Sequence, residues 1–176
     1  MKRWFVSLAA ALSTALIAPR AQAKLAAIYA SGQGGLQTHG DTGLQLGGEL
    51  GVRVLLFDGY VDYMGFGSGK SVTRAIVGLR GGLGRGWLRL VLRGGVGAIR
   101  EQSGALTTPV GATTLTRTGG VLRGGGAVEV RLFPGGWLGV GVDGEAYDFL
   151  NSNTLGFSNH GSNLLGVLRL TIELGI

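Results

Sequence analysis

The sequence predicts an all-β protein, an eight-stranded antiparallel up-and-down transmembrane β-barrel. Three observations carry that reading. The body alternates apolar and polar residues with period two, the signature of strands with two different faces. Short and long connections follow one another in turn. Glycine is in large excess, with 36 residues and none among the first 23, and it accompanies charges on one strand face.

Composition bounds the alternatives. A chain of 176 residues holds one domain with a real core. Mean hydropathy is +0.32 with only 15% charged residues, apolar for a soluble domain, yet the body has no run of about 18 apolar residues for a spanning helix. Only 3 prolines and no collagen-like glycine period are present, so neither a triple helix nor a Pro-rich linker fits. The absence of cysteine excludes disulfides, thiolate metal sites and a Cys nucleophile.

Residues 1–23 read as a cleaved signal peptide: basic Lys2 and Arg3, an apolar run from Trp4 to Ala18, then Ala21-Gln22-Ala23. Cleavage after Ala23 leaves a barrel domain over 24–176. Lys2, Arg3 and Arg20 supply three of the net +6 charges, so the chain from Lys24 onward carries +3. Its arginines are dispersed rather than clustered with aromatics, which argues against nucleic-acid binding.

The predicted strands are 25–34, 42–57, 60–67, 70–81, 87–100, 118–132, 137–149 and 162–176. In the second, Leu44, Leu46, Leu50, Val52, Val54 and Leu56 oppose Gln45, Gly47, Glu49, Gly51 and Arg53. In the fourth, Ala75, Val77 and Leu79 oppose Arg74, Gly78 and Arg80. In the fifth, Leu88, Leu90 and Leu92 oppose Arg89 and Arg93, and glycines 94, 95 and 97 make a helix costly there. The sixth sets Leu122, Val128, Val130 and Leu132 against Arg123, Glu129 and Arg131. The seventh sets Leu138, Val140 and Val142 against Asp143, Glu145 and Tyr147. The last sets Leu164, Leu168, Leu170, Ile172 and Leu174 against Arg169, Thr171 and Glu173.

Short connections are expected at 57–60, 81–86 and 133–136, where Pro134-Gly135 suits a type II turn. The others are 35–41, the brief Ser68-Gly69, 102–117 and 150–161. Placing every tight turn at one end, with an even strand number, matches outer-membrane barrels. Closure leaves no unpaired backbone edge in hydrocarbon.

Strand parity gathers Glu49, Arg53, Asp62, Arg74, Arg80, Arg89, Arg93, Arg123, Glu129, Arg131, Asp143, Glu145, Arg169 and Glu173 on one face. On the lipid face an arginine at mid-depth would cost about 2–4 kcal/mol. The expectation is therefore a lumen network of ion pairs, with small residues making room for arginines in a barrel just wide enough for side chains. Trp87 and Trp137 are expected to point inward at the short-turn end, and Arg100, on the apolar parity, to stand where the membrane ends.

Signal peptide, eight alternating strands and the strand–turn–strand pattern "VLRGGGAVEVRLFPGGWLGVGVDGEAYDF" at 121–149 resemble the small outer-membrane β-barrel superfamily of the OmpA/OmpX type. The resemblance covers nearly all of the mature chain. It implies a compact barrel with a charged, mostly plugged interior and a role in membrane integrity, adhesion, resistance or narrow conductance. The chain departs from that pattern in ending on Ile176 rather than an aromatic, and in having only 7% aromatic residues.

Several motifs suggest other chemistry. "GVGVDG" at 139–144 fits G-x-G-x-x-G but lies inside a strand, and "MGFGSGKS" at 64–71 has Met64 where a P-loop needs glycine, with no helix after it. No cofactor is expected. "NHGSN" at 159–163 resembles the H-x-S-N element of outer-membrane lipid A deacylases, with His160 as base and Ser162 as nucleophile. Glu173 is too far along the strand to orient His160, which leaves Asp148 or Glu145. His39 and Asp41 in the first long loop could join His160 to hold a metal, but exposed loop histidines are usually just solvated, and no metal is expected.

The sequence thus predicts a non-enzymatic β-barrel in the bacterial outer membrane, with a salt-bridged, largely closed lumen and a structural or surface-interaction role. Its expected partners are lipopolysaccharide and phospholipid, the barrel-insertion machinery, and a surface ligand at 35–41, 102–117 or 150–161. A monomer is expected. The alternatives are a narrow porin-like channel and a lipid A-modifying hydrolase using His160 and Ser162. A soluble lipocalin-like binder is disfavoured, because its apolar face would point inward.

Overall fold

Backbone pairing in the computed structural model runs strand by strand around a closed circuit. The structure describes residues 25–37, 43–103, 106–108, 111–150 and 160–175. The strands are β1 (Ala26–Gln37), β2 (Gly43–Val54), β3 (Phe57–Phe66), β4 (Ser71–Arg85), β5 (Leu88–Gln102), β6 (Leu106–Thr108), β7 (Gly111–Thr113), β8 (Thr116–Phe133), β9 (Gly136–Phe149) and β10 (His160–Gly175). The barrel order is β1-β10-β9-β8-β5-β4-β3-β2, every pair antiparallel, while β6 and β7 form a separate small hairpin in the β5–β8 connection. Closure is made by β1 on β10, from Ala27 opposite Gly175 to Gln37 opposite Leu165. The expected eight-stranded antiparallel barrel is therefore the fold.

The two faces of the wall are sharply different. Leu44, Leu46, Leu50, Val77, Leu92, Val96, Leu122, Val140, Leu168 and Ile172 are exposed on the outside. Glu49, Asp62, Arg74, Arg93, Arg123, Glu129, Asp143 and Arg169 are buried inside. This inverts the soluble pattern, in which burial follows apolarity. Part of the lumen is apolar too: Val72, Ile76, Ile99, Val121 and Phe149 pack with Tyr29 and Tyr60.

Three tight turns, between β2 and β3, β4 and β5, and β8 and β9, sit together at one end, while the short β3–β4 turn closed by Phe66 and Lys70 lies at the other; the positions of the first two differ from the expectation. The β2–β3 turn is Leu55-Leu56, not 57–60, because Val54 pairs with Phe57 and Asp58 enters the strand opposite Arg53. Between β4 and β5 the turn is Gly86-Trp87. Gly81, Gly82 and Gly84, which suggest a loop, instead continue the ladder, from Gly81 opposite Leu92 to Arg85 opposite Leu88. Pro134-Gly135 is a turn as expected, with Gly135 at φ 87°, the conformation the second central residue of a type II turn demands.

Candidate functional site

The lumen is the chemically distinctive place in the molecule, and strand alternation builds it. Charged residues on a common parity converge from all sides of a narrow tube, where burial without a partner would be prohibitive. Three groups of ion pairs occupy it.

The central group joins Arg74 (β4), Arg93 (β5), Arg123 (β8) and Arg169 (β10) to Glu49 (β2), Asp62 (β3), Asp143 and Glu145 (β9). Arg93 donates to Glu49 at 2.7 Å and to Asp143 at 2.6 Å. Arg123 bridges Asp62 and Asp143, the latter at 2.8 Å, and Arg169 reaches Asp143 at 3.1 Å. Arg74 donates to Asp62 and to Glu145, both at 3.0 Å. None of these side chains is more than 4% exposed. Four guanidinium groups face four carboxylates, so the group is balanced in formal charge. Arg93–Glu49, Arg123–Asp62 and Arg74–Glu145 each tie strands three places apart around an eight-stranded wall, and so cross the tube.

The second group lies toward the short turns. Arg89 donates to Glu129 at 2.6 Å and to Glu173 at 3.1 Å. Arg53 pairs with Glu173, and Arg80 lies 3.6 Å from Glu129. Arg89 also stacks on Trp137, 3.8 Å from the ring centroid. Trp137 therefore faces inward as expected. Trp87 does not: it is 65% exposed, because it belongs to the β4–β5 turn, where strand parity no longer applies. Arg131 is also exposed, beside a register shift between Arg131 and Phe133. Its recorded contact is with the Trp137 ring at 5.9 Å, so it stands at the mouth rather than within the ion-pair groups.

The third group lies toward the long connections, where Glu101 meets Lys70 at 2.9 Å and Arg117. Arg117 stacks over Phe149 at 4.2 Å and Lys70 over Phe66 at 5.5 Å.

Sequence reasoning missed Asp58, which is buried and accepts a hydrogen bond from the Tyr29 hydroxyl at 3.1 Å. The signal was present, since Asp58 shares the parity of Asp62, but a turn assignment hid it. Glu101 and Arg117 were hidden by ending the fifth strand at 100 and starting the sixth at 118, whereas the strands continue to Gln102 and resume at Thr116. Lumen glycines do the expected work. A Cβ on Gly51 would lie 2.3 Å from the Tyr29 ring, and one on Gly125 only 2.1 Å from Asp143 Oδ1.

The candidate hydrolytic residues are arranged differently. His160 and Ser162 share the outward parity of Leu164 and are exposed, whereas Asn163 faces inward and donates to Glu145 at 2.8 Å. Glu145 is thus engaged inside the wall with Asn163 and Arg74, on the face opposite His160. Asp148 sits across the ladder from His160, and Ala146 across from Ser162. Among the described residues no cluster of three or more His, Asp or Glu is placed to hold a metal ion. His39, Asp41, the signal segment 1–23 and Ile176 lie outside the described residues, as do 38–42 and 151–159 of the long connections.

No protein-family profile matches the chain, and no curated protein sequence does. Solved structures do. The N-terminal β-barrel domain of Pseudomonas aeruginosa OprF superposes with a TM-score of 0.57 at 10% identity, covering 84% of this chain and 97% of that one. Neisserial surface protein A gives a TM-score of 0.57 at 15% identity, covering 84% and 94%. The chain shares the eight-stranded barrel fold of these proteins.

Proposed function

We propose that this chain is an integral protein of the bacterial outer membrane, exported with a signal peptide cleaved after Ala23. Its barrel is a sealed structural platform that presents the long connections at the cell surface. The observation that carries this reading is the inverted wall: leucines and valines outside, a dense set of buried ion pairs inside. Such a surface suits hydrocarbon, where a closed ladder leaves no open edge.

The lumen supports a sealed barrel rather than a conduit. Central arginines and carboxylates meet in cross-lumen pairs, Arg89 and Trp137 stack near one end, and Arg117 and Phe149 stack toward the other. Interaction then falls to the long-connection end, where the β6–β7 hairpin belongs to the β5–β8 connection rather than to the barrel wall.

Two measurements test this. Unboiled protein in detergent gels is expected to migrate apart from boiled protein, and fractionation to place it in the outer membrane; a heat-insensitive band in the soluble fraction would overturn the proposal. In planar bilayers the wild-type barrel is expected to show no resolved current steps, and regular steps would replace the sealed reading with a channel.

A further inference from the structure

The outer wall carries a polar patch that the lumen does not explain. Outward residues of β5 run apolar or small from Leu88 to Ala98, and the next outward position is Arg100. Ten steps of about 3.3 Å along a strand tilted about 40° rise roughly 25 Å, the height of an apolar membrane band. Arg100 therefore stands at headgroup level, on the side of the long connections.

Its neighbours are polar on both sides. Thr73 of β4 and Thr118 of β8 flank Arg100 in the ladder, and the next outward rung is Ser71, Gln102 and Thr116. One rung below, Ala75, Ala98 and Gly120 are all small, and a Cβ on Gly120 would meet nothing within 4 Å. The wall is thus recessed directly beneath the arginine. Among the described residues no carboxylate pairs with Arg100, in contrast to the lumen arginines. A guanidinium at headgroup depth with no carboxylate beside it among the described residues suits a phosphate, which it engages through two parallel N–H donors. Hydroxyl and amide side chains around it suit the hydroxyls of a sugar.

We infer that Arg100, with Thr73, Thr118, Ser71, Gln102 and Thr116, forms a docking surface for a phosphorylated glycolipid headgroup in the leaflet at the long-connection end. Arg100 takes the phosphate, the hydroxyl and amide groups take the sugar, and the recess over Ala98 and Gly120 receives its underside. The inference rests on the membrane reading above.

The test uses full-length folded protein in detergent micelles and native mass spectrometry. The probes are lipid A bearing both phosphates, the same lipid dephosphorylated, phosphatidylglycerol and inorganic phosphate. Wild type is expected to retain phosphorylated lipid A in preference to the other three. Arg100→Gln is expected to lower that adduct about tenfold, as loss of a charge-assisted pair implies. Arg100→Lys should recover part of it, and Thr73→Val with Thr118→Val should lower it with Arg100 intact. An adduct unchanged in Arg100→Gln, or equal retention of dephosphorylated lipid or phosphatidylglycerol, would overturn the site, as would equal occupancy by inorganic phosphate. Wild type and Arg100→Gln should both keep the heat-dependent gel shift. Its absence from wild type would overturn the membrane reading instead.

Discussion

Arg93 donates from Nη2 to Oδ2 of Asp143 at 2.6 Å, and that same carboxylate oxygen also accepts from Arg123 and Arg169. Three guanidinium groups from three strands share one oxygen, which makes Asp143 the hub of the central group. Removing one partner of a buried pair leaves the other charge uncompensated, at a cost of about 3–5 kcal/mol. Asp143→Asn is expected to destabilise the folded barrel by that order, and by more than Glu49→Gln, which serves Arg93 alone among the recorded contacts. Urea unfolding in lipid vesicles, followed by the gel shift, compares the two. Equal midpoints would refute the hub.

Glycines of the wall divide by what lies over them. A Cβ at Gly125 would collide with Asp143, whereas one at Gly166, on the outer face, would meet nothing within 4 Å. Gly125→Ala is expected to lose about 1–3 kcal/mol through overpacking, and Gly166→Ala to change stability by less than about 0.5 kcal/mol, as for a typical surface substitution. The same unfolding assay reads both. A Gly125→Ala barrel as stable as wild type would mean that both the Asp143 carboxylate and the β9 backbone at Val142 give way, and the hub with them.

The fold was legible because the two-residue period is a property of the wall itself. Slipping any strand by one residue would send Arg74 or Arg169 outward and Val77 or Leu170 inward. Parity therefore located nearly every lumen charge without knowing any pairing. It failed at the turns, where Asp58 was read as loop and Trp87 as lumen, because period two says nothing about where a strand stops. It also could not say which charges meet. Arg74 reaches Glu145 and Arg123 reaches Asp62 across the tube, and such partners follow from stagger and closure rather than from local sequence. Arg100 was visible as an exception to the apolar parity, but its flanking threonines come from the register with β4 and β8.

The β2–β3 turn offers a stabilising change. Leu55 has φ 56°, while Gly86 fills the corresponding first central position of the β4–β5 turn at φ 71°. A leucine in the left-handed region costs roughly 1–2 kcal/mol, partly offset in a glycine variant by its greater unfolded-state freedom. Leu55→Gly is expected to raise stability by roughly 0.5–1 kcal/mol. Leu56→Gly, without positive φ to relieve, is expected to lower it. A shift of the Leu55→Gly urea midpoint downward would show that contacts of the leucine side chain outweigh its backbone strain.

Depth along β5 tests the membrane reading most directly. Leu92 lies near the middle of the outward apolar run from Leu88 to Ala98, and Leu88 lies at its edge beside the Gly86-Trp87 turn. In hydrocarbon an arginine costs about 2–4 kcal/mol at mid-depth and about 0–1 kcal/mol near the interface. Leu92→Arg is therefore expected to destabilise the vesicle-embedded barrel by several-fold more than Leu88→Arg. Neither change touches the lumen, so both proteins should keep the central ion pairs. In a soluble barrel the two exposed positions would tolerate arginine alike, and indistinguishable unfolding midpoints would argue for water, not lipid, against the leucine face.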